Sequence, residues 1–304
     1  MPLVNANGVR RWKERPAAFF VEDYTPGDLT KYFDQELNKA VEDYALNQGA
    51  LCGYCNINGE PTTFQLHGRV FREDLVCATT NSISRHRQMV AGMSMALFGT
   101  PFYSLPMIAD YVNESGRKIY LTEISTPLFT FLKKLVRPEL FIASEYLDAS
   151  HRSGTVVKGV LHQDLVATSF ADNTFDIVLT SEVLEHVPHA EKAEAEIVRI
   201  MKPNGVYCFT VPIDVEAQDD IILARAREGG EIEYFGEPVF HGDPVRAEGI
   251  LAYRIFSAKG LKKRFSGLGC SFACYRFWSK TYGIIGPDSW VLVARGPKFT
   301  RSRF

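Results

Sequence analysis

Apolar positions before Gly116 follow mainly helical spacing, and after it short apolar runs alternate with helical ones. Between Pro26 and Asn47, the residues Leu29, Tyr32, Phe33, Leu37, Ala40, Val41, Tyr44 and Ala45 recur mostly at three- and four-residue intervals. That spacing lays them on one helical face, and Asp28 stands where a side chain caps the first turn. Gly49 to Ser82 carries short strand-like runs such as Thr62 to Leu66. Ser84 to Phe98 reads as a second helix, with Met89, Met93, Met95, Ala96 and Leu97 on its apolar side. Methionines so placed read as core packing. The first ~20 residues show no apolar period and read as a loosely held arm.

After Gly116 the rhythm is strand, helix, strand. Lys118 to Ile124 reads as a buried strand, and Thr126 to Val136 as a helix with Pro127 in its first turn. Leu140 to Ser144, Thr155 to Leu161 and Phe175 to Thr180 read as further strands. His189 to Met201 is a helix stopped by Lys202, Pro203, Asn204 and Gly205, and Val206 to Val211 is the next strand. From Ile250 onward come a helix, a glycine-rich turn at Gly267 to Gly269, and a last strand at Trp290 to Ala294. Such alternation predicts an α/β fold, a mostly parallel sheet with helices on both faces, closed by a late antiparallel strand.

Composition narrows the partners. Of 304 residues 46% are apolar and 12% aromatic, enough for a packed core. With 34 basic and 36 acidic residues the net charge is −2, so charge gives no case for a nucleic-acid partner. No apolar run approaches the ~18 residues of a membrane span, and the polar start with Arg10, Arg11, Lys13 and Arg15 does not read as a secretory signal. Six cysteines are too few for a disulfide scaffold. A cytoplasmic protein is expected, with its oligomeric state left open.

In an open parallel sheet, ligands sit beyond the carboxyl ends of the strands. Those ends carry Glu123 and Ser125, then Glu145 and Tyr146, then Asp164 and Leu165, then Ser181 and Glu182. Any one acid reads as a solvated loop residue. Their joint spacing fits a nucleoside instead: one carboxylate for the ribose hydroxyls, the next for an exocyclic amine, and one facing an ammonium or sulfonium group.

The run Val160 to Val187, VLHQDLVATSFADNTFDIVLTSEVLEHV, resembles the middle of class I S-adenosylmethionine-dependent methyltransferases, and Met201 to Gly205 (MKPNG) resembles their loop before the fifth strand. The matches run in family order over Lys118 to Pro212. More weakly, His241-Gly242-Asp243-Pro244 and Tyr253-Arg254-Ile255-Phe256 resemble a subgroup whose N-terminal part carries a cysteine knuckle. The resemblance implies a Rossmann-like domain over 116–304 that binds S-adenosyl-L-methionine through Glu123, Ser125, Glu145, Tyr146, Asp164, Leu165, Ser181 and Glu182. Residues 1–115 would then form a helical, knuckle-derived lid.

Two departures stand out. The family's glycine-rich turn after the first strand is replaced by Glu123-Ile124-Ser125-Thr126-Pro127-Leu128, without glycine. The Ser125 and Thr126 hydroxyls and the helix N-terminus are candidates to replace the missing amide contacts. The knuckle keeps Cys52, Cys55 and Cys77 but has Thr80 where the fourth zinc ligand would stand, with His67 or His86 as substitutes. The chain is read as metal-free.

For chemistry, His186, His241 and Tyr146 are the leading candidates. His186 reads equally as a residue closing the adenine side, and His162 as structural. Glu185 reads as bonding backbone amides at a helix start. The cations of Ser84-Arg85-His86-Arg87 read first as a solvated helix face and second as receivers of a substrate carboxylate or phosphate. Phe209, Tyr253 and Phe256 join Tyr146 as aromatics available to wall a sulfonium. The expected activity is methyl transfer to a small molecule. The alternative is a cyclase or lyase that releases methylthioadenosine and forms a small cyclic amino acid. A cofactor-binding protein without catalysis is the third reading.

Overall fold

The computed structural model describes residues 20–24, 35–227, 229–242 and 249–297. The expected arm before position 20, the Asp28 cap with the first turns of its helix, and Asp243 and Pro244 lie outside these residues. The chain begins with β1 (Phe20–Tyr24), α1 (Gln35–Gln48), β2 (Ala50–Cys55), β3 (Glu60–Leu66), α2 (Phe71–Asp74), β4 (Leu75–Cys77), α3 (Ser84–Phe98) and α4 (Leu105–Ser115). It continues through β5 (Ile119–Leu121), α5 (Pro127–Leu135), β6 (Phe141–Ala143), β7 (Val156–Val157), β8 (Val160–Leu161), β9 (Phe175–Ser181), α6 (Ala190–Ile200) and β10 (Met201–Thr210). Short strands follow: β11 (Ile213–Asp214), β12 (Ile221–Ile222), β13 (Ala224–Ala226), β14 (Ile232–Tyr234), β15 (Phe240–His241), β16 (Ile250–Leu251) and β17 (Arg254–Ser257). The last elements are α7 (Ala258–Gly267), β18 (Ser271–Trp278) and β19 (Trp290–Arg295).

The main sheet has the order β1-β18-β19-β10-β9-β5-β6. β6, β5, β9 and β10 run parallel, and β19 closes against β10 antiparallel, as expected for the late strand. The chain leaves β5 outward to β6 and returns to the other side of β5 as β9. This is the reversal of direction beside which ligands bind in such sheets. Beyond β6 a single parallel bridge, Glu145 to His162, adds a vestige of one more strand. The strand expected over Thr155 to Leu161 is instead the hairpin of β7 and β8, because Lys158 (φ 50°) and Gly159 (φ 83°) adopt left-handed conformations that turn the chain.

Period-two alternation sorts the buried residues into two layers. Ile119 and Leu121, Ile177 and Leu179, Val206 and Cys208, and Val291 and Val293 face one way, into a core shared with α3, α4 and α5. Tyr120, Val178, Tyr207, Phe209, Leu292 and Ala294 face the other way, against α6 and α7. The segment expected to be a lid thus places α3 and α4 in the same core as the sheet. α3 lies close to it at Gly92, where an added Cβ would stand 2.5 Å from Val291 Cγ1 and 2.9 Å from Cys208 Sγ. Gly92→Val is therefore expected to force α3 outward and cost ~1–3 kcal/mol, the scale of core overpacking. Urea denaturation checks this, and an unchanged midpoint would show that the helix has room to spare.

The small antiparallel sheet of β2, β3 and β4 packs around Arg87, which is wholly buried. Its guanidinium donates from Nε to Tyr282 O (2.9 Å), from Nη2 to Leu75 O (2.8 Å) and Gly283 O (2.9 Å), and from Nη1 to Ser82 O. It also lies 4.3 Å from the centre of the Phe64 ring. The expectation of a solvated cationic helix face is corrected here: these donors tie α3 to the knuckle strands and to the 282–283 backbone.

Candidate functional site

A cavity of about 1210 Å³ opens at the carboxyl ends of β5, β6, β9 and β10. Glu123 and Ser125 line it from the loop after β5, Glu145 and Tyr146 from the end of β6, and Asp164 and Leu165 from the loop after the His162 bridge. Ser181 and Glu182 line it from the end of β9, and His186 and His241 complete the set expected from sequence. The Glu145 backbone is fixed on both sides, donating to Leu161 O (3.0 Å) and accepting from Gln163 N (3.2 Å). Asp164 turns its Oδ1 back to accept from Val166 N (3.0 Å), a local turn that fixes its carboxylate. His162, expected to be structural, is buried, and its Nδ1 accepts from Leu147 N at 3.1 Å.

The glycine-free loop after β5 is organised by Thr126. Its hydroxyl caps α5 by accepting from Phe129 N (3.2 Å) and donates to Glu123 Oε1 (2.8 Å). Of the two hydroxyls expected to replace the missing amides, Thr126's is thus engaged within the protein, while Ser125 is exposed at the mouth. Burial raises Glu123 above the ordinary carboxylate range, opposed by the Thr126 bond and the Arg85 charge.

Glu182 is not left without a partner inside the chain. Arg72 Nη2 stands 2.6 Å from Glu182 Oε1, and Arg85 donates from Nη1 to Ser181 Oγ at 2.7 Å. Glu73 links the two arginines, accepting from Arg72 Nη1 and from Arg85 Nε and Nη2, each at 2.9 Å. Burial pushes Glu182 up, but the Arg72 and Arg85 charges outweigh it and hold the carboxyl at about 2. Glu182 also has a left-handed backbone (φ 53°), a conformation that costs ~1–3 kcal/mol and clusters at functional sites. Arg72 and Glu73 carried no signal in the sequence. They come from a four-residue helix, and only the fold brings them to the end of β9.

Glu185 corrects another expectation. It sits in a single helical turn, Leu184–His186, ahead of α6, and neither carboxylate oxygen accepts a hydrogen bond from the described residues although Glu185 is wholly buried. His186 Nε2 and His241 Nδ1 each stand 3.6 Å from its Oε1. Burial and the nearby Glu182 raise Glu185 to about 7, and the Glu185 carboxylate draws His241 up. Among the proposed aromatic walls, Phe209 and Phe256 are fully buried in the core. Tyr146 and Tyr253 line the cavity, with Tyr146 tilted against the His162 ring at 5.3 Å.

The knuckle strands hold Cys52 exposed and Cys55 and Cys77 buried. Thr80 Oγ1, in the place of a fourth ligand, lies 3.4 Å from Cys55 Sγ and donates to Ser82 Oγ at 2.8 Å. Cys55 and the hydroxyls of Thr62 and Thr79 draw the Cys77 thiol down against its burial. His86 turns its Nδ1 to Ile83 N (3.3 Å) at the start of α3.

The strand-end acids thus meet in one cavity beside the reversal of strand order, where open α/β sheets bind ligands. Residues 107–209 match the model of a family described as a methyltransferase domain. An uncharacterized methyltransferase of Mycobacterium tuberculosis is 28% identical over 137 residues, covering 42% of this chain and 52% of that protein. The chain thus spans about half the length of the curated relatives it matches. Solved structures similar to it include an S-adenosylmethionine-dependent methyltransferase from Mesorhizobium loti (13% identity, TM-score 0.37, 59% of this chain and 91% of that one). Another is 1,6-didemethyltoxoflavin-N1-methyltransferase from Burkholderia thailandensis (15% identity, TM-score 0.34, 64% and 76%). Among the described residues, no helix is long and apolar enough to cross a membrane.

Proposed function

We propose that the protein binds S-adenosylmethionine in this cavity and transfers its methyl group to a small-molecule acceptor. The observation that carries this reading is the convergence of Glu145 and Asp164, from successive strand ends, on one cavity beside β5 and β9. Glu145 would accept from the ribose hydroxyls and Asp164 from the adenine amine, with Leu165 and Tyr146 against the base and sugar. Arg85 and Glu123 line the same cavity and lie within electrostatic reach of one another. Their opposite charges suit the carboxylate and ammonium of an amino-acid tail. Bound S-adenosylmethionine supplies a methyl group already activated on a sulfonium, so orientation can provide much of the rate. His186 and His241 line the cavity where an acceptor would be held, and the acids around it disfavour a polyanionic one.

Mass spectrometry of the protein incubated with S-adenosylmethionine, with and without a panel of acceptors, tests this. S-adenosylhomocysteine appearing only with an acceptor is the expected result. Methylthioadenosine formed without an acceptor would replace methyl transfer by cyclase or lyase chemistry at the same site. Failure to bind the cofactor at all would remove both.

A further inference from the structure

Glu185, His186 and His241 offer one carboxylate oxygen and two imidazole nitrogens, all within 4.8 Å of one another, at the wall of the cavity. Among the described residues, both oxygens of the wholly buried Glu185 lack a hydrogen-bond partner, a costly arrangement unless a cation meets them. The two imidazole nitrogens approach to 3.6 Å, too far for a hydrogen bond. Two ligand atoms held at about 2.1 Å from one ion, at an angle near tetrahedral, stand about 3.4 Å apart, so the observed spacing suits a shared ion. The orientation of His186 points the same way. Its Nδ1 lies 2.9 Å from the carbonyl oxygen of Leu251. A carbonyl only accepts, so Nδ1 carries the proton, and in the neutral ring Nε2 turns its lone pair towards Glu185. A backbone carbonyl holding the distal N–H is the usual way in which a metal-binding imidazole is fixed.

From this geometry we infer that Glu185, His186 and His241 form a binding site for a divalent first-row transition ion. The donor set of two imidazoles and one carboxylate suits zinc, iron, cobalt or manganese rather than magnesium or calcium, which prefer all-oxygen ligands. Three protein ligands leave coordination positions free for water or a small ligand in the cavity. Sequence hid the site because His241 lies far along the chain from Glu185. β15 pairs with β16 across Phe240 to Leu251 and His241 to Ile250, and Tyr253 N donates to Glu185 O at 2.7 Å, which brings the two together.

The test is titration of the chelator-stripped full-length protein with zinc and cobalt(II) chloride, followed by calorimetry and by the visible spectrum of cobalt. One equivalent is expected to bind, without the intense sulfur-to-cobalt charge-transfer band. His241→Ala should weaken binding by more than ~100-fold, beyond the ~10–100-fold typical of losing a group that merely supports a ligand. His241 is half-buried at the end of a short strand, so this variant should keep its fold, which circular dichroism checks. Absence of stoichiometric binding up to millimolar ion would overturn the site and leave an imidazolium–carboxylate cluster. Binding that survives His241→Ala and shows the sulfur band would overturn it in favour of Cys55 and Cys77. S-adenosylmethionine affinity, measured on the same stripped protein, reports on the methyl-transfer reading separately.

Discussion

Arg87→Met is expected to cost at least ~3–5 kcal/mol of folding stability, a large part of the ~5–15 kcal/mol that domains of ordinary size possess. Methionine approximates the length of the side chain but donates nothing. The carbonyls of Leu75, Tyr282 and Gly283 would then lose the guanidinium and face a buried apolar group at the desolvation cost of an unmet acceptor, while Ser82 O would keep its bond from Cys77 N. Burial draws the guanidinium down to about 10, with Cys55 and Cys77 opposing, so it remains charged at neutral pH. Arg87→Lys keeps the charge but cannot span acceptors on both sides of a planar fork, and an intermediate loss is expected. Urea denaturation followed by circular dichroism measures both variants. A loss below ~1 kcal/mol for methionine, about the net worth of one ordinary hydrogen bond, would show that the carbonyls find other partners.

Arg87 also shows where reading the sequence stops. The helix over Ser84 to Phe98 is legible because its apolar residues recur at helical spacing, and its observed bounds agree. What its arginines do is not legible, because the acceptors of Arg87 come from β4 and from backbone near position 282, far apart in sequence. The strand ends behave similarly. Alternation within β5, β9, β10 and β19 is a local property and identifies the sheet and its two covered faces. The parallel order then places Glu123, Glu145, Asp164 and Glu182 at one edge. The state of Glu182 is a non-local matter, set by Arg72 from far along the chain, whereas Glu123 is bonded to Thr126, three residues on, in the cap of α5. β18 escaped the sequence reading because its burial lacks clean alternation, with Phe277 and Trp278 adjacent and both buried. α4 escaped it too although it is legible, since Leu105, Ile108, Ala109 and Val112 recur at helical spacing and Pro106 stands in its first turn.

The same distinction between a paired and a ligand-facing acid gives the second large expected effect. Glu145→Ala and Asp164→Ala should each weaken S-adenosylmethionine binding by ~1.5–3 kcal/mol, or about 10- to 150-fold, the scale of a lost charge-assisted hydrogen bond. Neither change should unfold the protein. The Glu145 backbone is held by its bonds to Leu161 and Gln163 whatever its side chain, and Asp164 is only half-buried. Asp164→Asn supplies the needed control, since an amide oxygen can still accept from Val166 N and keep the loop in shape while the charge is lost. If charge at the nucleoside matters, Asn should fall between Asp and Ala in calorimetric affinity. If only loop order matters, Asn should bind as tightly as Asp. Unchanged affinity in both alanine variants would remove the nucleoside from these strand ends and, with it, the main support for cofactor binding in this orientation.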